Sequence, residues 1–311
     1  MKKLNTLLLF LPFVVMAQSK PELFSTIAEK DFVAEGIAYH ASGKSFYVGS
    51  IYKQKIVKIS SSGKVTDFVT SRQDSIGQVV GLRVDETNHH LWVCNNKGEG
   101  VAGGTSQIHQ YDLKTGKLIR QYKHQAAGEK HLFNDLVLVN GDAYITDSEF
   151  KAIYKVNSTT HRLDLFLQSD QFDYANGITA LPGSSTLVVA TNFGLMTIDV
   201  NTKAVSSITF LNYYVLGIDG LYYDKDSFIG IQNVTYPPCI NQYFLNDNHS
   251  MITGARVILS DHADFNVPTT GAIADGWFYY IANSQLNNYS KGSFQHPEKL
   301  EATKIMRVKI Q

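Results

Sequence analysis

The stretch NGITALPGSSTLVVATNFGLMTIDVNTKAVSSITF, residues 176–210, decides the fold. Asn176-Gly177-Ile178 opens a short apolar strand, and Pro182-Gly183 marks a turn. A second strand follows at Leu187-Val188-Val189, a third at Leu195 to Val200 and an outer one from Val205 to Phe210. Each run is short and rich in β-branched residues, so it reads as a strand, and the Gly and Asn between runs supply the positive φ that tight hairpins need. Four consecutive strands joined by tight turns are one blade of a β-propeller.

The same unit recurs in both directions along the chain. Copies open at Glu35-Gly36-Ile37, Val80-Gly81-Leu82, Asn134-Asp135-Leu136, Asn176-Gly177-Ile178, Asp219-Gly220-Leu221 and Thr270-Gly271-Ala272, at spacings of 42 to 54 residues. That interval is the size of a four-stranded blade. The sixth copy ends after its third strand, Lys304 to Ile310, and Glu22 to Ala28 supplies the missing outer strand from the other end. Pairing the two would close the ring and protect both free edges. The expected fold is therefore all-β, a six-bladed β-propeller over residues 18–311. Six in-phase copies argue against a β-sandwich with long loops.

Residues 1–17 read differently. Met1-Lys2-Lys3 is basic, Leu7 to Val15 is apolar, and Val15-Met16-Ala17 offers a cleavage site before Gln18. This is the layout of a bacterial secretory signal peptide, too short to span a bilayer. The expectation is export to the periplasm or outside the cell, with no membrane association once the segment is removed.

Composition narrows the function. The 311 residues carry 28 Lys+Arg and 28 Asp+Glu, which leaves no basic excess for nucleic acid or an anionic membrane. A charged fraction of 18% with 17 Tyr and 17 Phe excludes a disordered chain. Cys94 and Cys239 are too few for a disulfide framework, and no disulfide is assigned to them.

The chemistry concentrates at one register position. The innermost strand of each blade lines the central channel, so Glu35, Val80, Asn134, Asn176, Asp219 and Thr270 should share a level. Four of them carry carboxylate or amide oxygens, and no His or Cys joins them. Hard oxygen donors select Ca²⁺ or Mg²⁺ over zinc or copper, and Ca²⁺ accepts irregular carboxylate and amide cages. An Asn-Gly or Asp-Gly pair alone is a common turn signal; Glu35 is not a turn former, which gives the set its weight.

This ordered set, Glu35-Gly36, Asn134-Asp135, Asn176-Gly177 and Asp219-Gly220, resembles that of the senescence-marker-protein/gluconolactonase/luciferin-regenerating-enzyme family. Its wider superfamily includes diisopropyl fluorophosphatase and the paraoxonases. The resemblance implies a calcium-dependent hydrolase of a small lactone, ester or phosphotriester. It further implies Glu35, Asn134, Asn176 and Asp219 as metal ligands. Asp219 would be nucleophile or general base, and Asn134 and Asn176 would also orient substrate. Two departures stand out. Val80 occupies the blade-two position where paraoxonases carry a histidine, and the substrate-holding arginine of sugar-lactone hydrolases has no clear match. Two other readings stay open: a non-catalytic secreted propeller that binds a ligand or protein partner, and a metal-independent enzyme resembling strictosidine synthase.

Lesser candidates are His131, three residues before Asn134, and His262, in the long connection before the sixth blade. Tyr213, Tyr214, Tyr236 and Phe265 could line an apolar mouth or pack between blades. Asp147, Asn192, Asn233 and Asn283 recur after the second strands and read as strand-end residues that satisfy backbone groups. Gly98 to Gly104 connects two strands and is a weak phosphate motif.

Overall fold

Along the second strand of the fourth blade, Thr186–Thr191, side chains alternate faces with period two. Leu187 and Val189 are buried against the third blade, and Val188 and Ala190 against the fifth. Apolar burial on both faces forces each sheet to have a neighbour on either side, which a ring of blades satisfies. The computed structural model describes residues 20–98, 104–125 and 128–310, and it is that ring.

Blade 1 comprises Ala34–His40, Ser45–Ser50, Ile56–Ser60 and Val65–Val69, and blade 2 Gln78–Asp85, His90–Lys97, Thr105–Asp112 and Leu118–Gln125. Blade 3 comprises Phe133–Val139, Asp142–Asp147, Ala152–Val156 and Leu163–Gln168. Blade 4 is built from Ile178–Ala180, Thr186–Thr191, Gly194–Asp199 and Val205–Ser207. Leu221–Asp224, Ser227–Gln232, Cys239–Leu245 and Met251–Ser260 form blade 5. Blade 6 takes Gly271–Ala274, Trp277–Ile281 and Thr303–Lys309, and its outer strand is Glu22–Ile27 from the opposite end of the chain.

That closure is antiparallel, with Thr26 opposite Lys304, and Arg307 donates to the Glu22 carboxylate across it at 2.8 Å. Among the described residues six apolar clusters form, each shared by two adjacent blades, and the cluster joining blades 6 and 1 contains Ile27, Tyr279, Ile305, Phe46 and Val48. The core is therefore itself a ring, and the N-terminal strand completes its last segment.

Two details depart from the sequence reading. The expected strand from Val205 to Phe210 breaks at Ile208, which turns inward and is buried. Thr209–Phe210 then crosses to pair in parallel with Met251–Ser260, adding a fifth strand to blade 5. A small hairpin, Tyr289–Ser290 with Ser293–Phe294, also forms in the long connection of blade 6. Its Phe294 ring packs edge-on against Tyr52 of blade 1, with centroids 4.7 Å apart.

The expected signal segment, residues 1–17, and most of Gly98 to Gly104 lie outside the described residues. No helix among the described residues is long and apolar enough to cross a membrane. Cys94 is buried in the cluster between blades 2 and 3, and it and Cys239 are free thiols.

Candidate active site

The innermost strands of blades 1 to 5 begin with the same irregularity, whereas that of blade 6 pairs regularly through Thr270 and Gly271. Register shifts fall between Ala34 and Ile37, Val79 and Leu82, and Phe133 and Leu136, so Glu35-Gly36, Val80-Gly81 and Asn134-Asp135 are β-bulges. Blades 4 and 5 repeat the geometry through backbone bonds. The Asn176 N–H donates to the Ala190 carbonyl at 2.9 Å, and the Ala190 N–H returns to the Gly177 carbonyl at 2.9 Å. The Asp219 N–H donates to Ile231 at 2.8 Å, and the Ile231 N–H to Gly220 at 3.0 Å. Two residues thus oppose one, and such a bulge re-aims a side chain without ending the ladder. Repeated around a ring, it turns the first bulge residue of successive blades toward the axis.

The second bulge residue explains the glycines. A Cβ on Gly36, Gly81 or Gly177 would run into the carbonyl oxygen of Val80, Asn134 or Asp219 in the next blade. In blade 3, where Asp135 replaces glycine, its carboxylate accepts from the Leu136 N–H at 2.8 Å and the Ile178 N–H of blade 4 at 3.2 Å. Glycine is needed here for close approach of two backbones, as much as for any turn.

The aimed residues meet in one cavity of about 480 Å³. Glu35, Val80, Asn134, Asn176 and Asp219 all line it, five of the six positions read from the sequence as one level. The sixth, Thr270, donates its hydroxyl to the Glu35 carbonyl at 2.5 Å and so serves the seam between blades 6 and 1.

Hydrogen bonds orient this floor. The Asn134 amide nitrogen donates to Ser148 Oγ at 3.0 Å, and that hydroxyl donates to the Ala175 carbonyl at 2.6 Å. Asn233 donates its amide to Asp219 Oδ2 at 2.5 Å, and Asn176 also hydrogen-bonds the Asp219 carboxylate. With their nitrogen ends engaged by the protein, Asn134 and Asn176 keep carbonyl oxygens for another partner. Burial raises the Asp219 pKa from 3.8 to about 7; the Asn233 and Asn176 bonds oppose this, and nearby Asp135 adds to it. Asp135 is raised too, mainly by burial and against the opposing charge of Arg83.

Arg83 lies below the cavity. Its Nε donates to the Leu136 carbonyl at 3.0 Å and its Nη2 to the Ile178 carbonyl at 3.4 Å, fastening blades 2, 3 and 4 together. It does not line the cavity, so it does not supply the substrate-holding arginine sought in the sequence.

The lesser candidates divide. His131 donates to buried Asp147 at 2.6 Å and approaches His124 Nε2 at 3.3 Å, a packed cluster outside the cavity. Asp147 satisfies the Leu132 and Phe150 N–H groups, and Asn283 bonds the Lys304 N–H and the Ala302 carbonyl, as strand-end residues should. His262 pairs with Asp264 at 3.6 Å, and Phe265 packs against the cluster between blades 5 and 6; neither lines the cavity. Tyr213 donates to the Thr253 carbonyl at 3.2 Å, while Tyr214 and Tyr236 are exposed.

Sequence reasoning undervalued Asn233 and Asn192. Both line the cavity, Asn233 bonds the Asp219 side chain, and Asn192 donates to Asp173 at 3.0 Å. Their recurrence one residue after a second strand was the available signal, because that position opens on the same end of the ring as the bulges.

No protein-family model matches the chain, and no curated protein matches it in sequence. Similar solved structures share its fold. A gluconolactonase from Xanthomonas campestris aligns at TM-score 0.61 with 12% identity, covering 93% of this chain and 88% of that one. The PQQ-bound aldose sugar dehydrogenase of Streptomyces coelicolor aligns at 0.60 with 11% identity, over 94% and 99% of the two chains. A chain of the nidogen/laminin complex aligns at 0.54 with 13% identity, over 74% and 86%. At such identities the likeness establishes a six-bladed propeller, a class that hosts hydrolysis, oxidation and protein binding alike.

Proposed function

We propose that the protein is a hydrolase of a small lactone or related ester or phosphotriester, dependent on a hard divalent cation, with Ca²⁺ the best match. One observation carries this reading: Glu35, Asn134, Asn176 and Asp219, scattered over four blades, line a single cavity with their donor set made only of oxygens. Among the described residues no three His, Cys, Asp or Glu side chains gather as a metal site, so a thiolate or imidazole cage has no support. Two carboxylates and two amide carbonyls suit Ca²⁺. The buried Asp219 carboxylate, disfavoured as an anion, fits a position beside a cation. The likeness to a gluconolactonase adds support at the level of fold.

In this reading Glu35, Asn134, Asn176 and Asp219 hold the cation, which when bound supplies a Lewis acid for a carbonyl or phosphoryl oxygen. Asn233 fixes the Asp219 carboxylate so that one oxygen stays directed for proton abstraction from water or for direct attack. Asn134, held by Ser148, orients substrate. The export signal expected over residues 1–17 would place this activity in the periplasm or outside the cell, which N-terminal sequencing of the mature protein tests.

The decisive experiment measures hydrolysis of lactones, aryl esters and phosphotriesters before and after chelation and dialysis. Loss of turnover on chelation and its return with Ca²⁺ is the expected result. Unchanged turnover refutes the metal requirement. Calcium-dependent thermal stabilisation without turnover on any class would instead establish a binding propeller.

A further inference from the structure

A second group of ligating side chains lies away from the axis, where blade 2 passes into blade 3. His124 stands near the end of the outer strand Leu118–Gln125, and His131 just before the inner strand Phe133–Val139. Their Nε2 atoms come within 3.3 Å of each other, with the ring planes at 71°. That separation exceeds the roughly 2.7–3.2 Å of a well-formed hydrogen bond. It matches the edge of a tetrahedral zinc site, where two nitrogens about 2.0–2.1 Å from the ion stand about 3.3–3.4 Å apart.

The surroundings prepare both rings as ligands. His131 gives its Nδ1 proton to the buried Asp147 carboxylate at 2.6 Å, which leaves Nε2 as the lone-pair nitrogen of the neutral ring. A carboxylate behind a histidine is the common outer partner of a metal-bound imidazole, because it fixes the tautomer and raises the ring's basicity. The other Asp147 oxygen holds the Leu132 and Phe150 N–H groups, so the carboxylate itself is pinned. His124 is half-buried, and burial together with the His131 ring lowers its pKa, which keeps it neutral and able to bind a cation. The exposed Glu129 carboxylate adds negative charge, acting on His124 and on Tyr154, whose hydroxyl lies 3.5 Å from His124 Nε2.

We propose that His124 and His131 form a second cation site, open to solvent and selective for Zn²⁺ or another borderline transition dication. It is a pair of imidazoles and not a closed cage: Asp147 faces the Nδ1 side of His131, and water fills the remaining positions beside Glu129. A turn of the half-buried His124 ring aims both lone pairs at one ion, while Asp147 keeps His131 in place. Imidazole suits zinc, copper and nickel, whereas Ca²⁺ takes oxygen donors, so this pair and the axial cavity select different metals. A bound ion would clamp the end of blade 2 to the start of blade 3, and the site stands whether or not the protein is a hydrolase.

The test is a calorimetric titration of Zn²⁺ into the untagged protein, with Ca²⁺ in excess to occupy any hard-cation site. The expected result is zinc binding that persists in excess Ca²⁺, is weakened at least about tenfold in His124→Gln, and is retained in Asp219→Asn. No binding, binding that survives His124→Gln, or binding lost in Asp219→Asn overturns the assignment. Should His124→Gln fail to fold, electron paramagnetic resonance of Cu²⁺ bound to the unmutated protein decides instead. Coupling of the copper to two nitrogens sustains the site, since the axial donors are all oxygens; a spectrum of oxygen ligands alone, or no bound copper, overturns it.

Discussion

Asp219 offers the sharpest test, because burial and charge oppose each other there and pH separates them. Its folded pKa of about 7 lies above the ordinary 3.8 of an unfolded aspartate, so the native state holds its proton more tightly. The associated stability is fully present below pH 3.8 and is lost as pH rises toward 7. Over that interval the ionisation penalty in the metal-free protein reaches about 4 kcal/mol. Asp219→Asn removes it. An amide oxygen cannot accept from both Asn233 and Asn176 as fully as a carboxylate, so about 1 kcal/mol is lost in exchange. The metal-free variant should therefore be more stable than the parent by about 3 kcal/mol at pH 8, or about 5 °C in melting temperature for a chain of this length. At pH 4 it should be no more stable. Melts followed by circular dichroism in chelator, at intervals between those pH values, provide the assay. With saturating Ca²⁺ the order should invert at pH 8, since the cation stabilises the carboxylate and has lost a ligand in the variant. Parallel profiles for the two proteins in chelator would refute the argument. His109 makes the difference profile necessary. Burial lowers its pKa to about 4, so its stability is present above 6.5 and lost as pH falls, opposite in sign to Asp219. Subtracting the variant from the parent cancels it.

Other outcomes follow from the same geometry. His109→Gln should flatten the acid limb between pH 6.5 and 4, recovering up to about 3 kcal/mol at the acid end in urea unfolding. Ser148→Ala frees the Asn134 amide and should lower turnover and calcium affinity about tenfold, while urea unfolding shifts by only about 1 kcal/mol. Gly36→Ala sets a methyl group against the backbone carbonyl of Val80, which no rotamer change relieves, and should cost about 3 kcal/mol in the same assay. Deleting the chain through Ala28 exposes the Thr303–Lys309 edge and empties part of the cluster between blades 6 and 1. The product should unfold over a broad range and self-associate on gel filtration, whereas cooperative melting at the parent temperature would argue against the closure as the lock of the ring.

The blades were legible in the sequence because their determinants are local. Alternating apolar residues fix a strand's two faces, Gly, Asn and Asp fix the turns, and six repetitions of the pattern leave a ring as the arrangement that buries both faces of every sheet. Even the closure could be read, since a third strand without a successor at one end and a spare strand at the other imply each other. The level shared by Glu35, Asn134, Asn176 and Asp219 followed from the repeat phase. Tertiary structure decided what phase could not show. The bulges that turn these side chains to the axis depend on pairing with the second strand, and the glycines beside them answer to the backbone of the next blade. The departure of Thr209–Phe210 to blade 5 and the partnership of Asn233 with Asp219 arise between residues that are neighbours only in space. The polarity of the cavity was equally hidden, because Ile51, Leu132, Tyr174 and Leu286 come from loops of different length, and only the closed ring brings them to face one another.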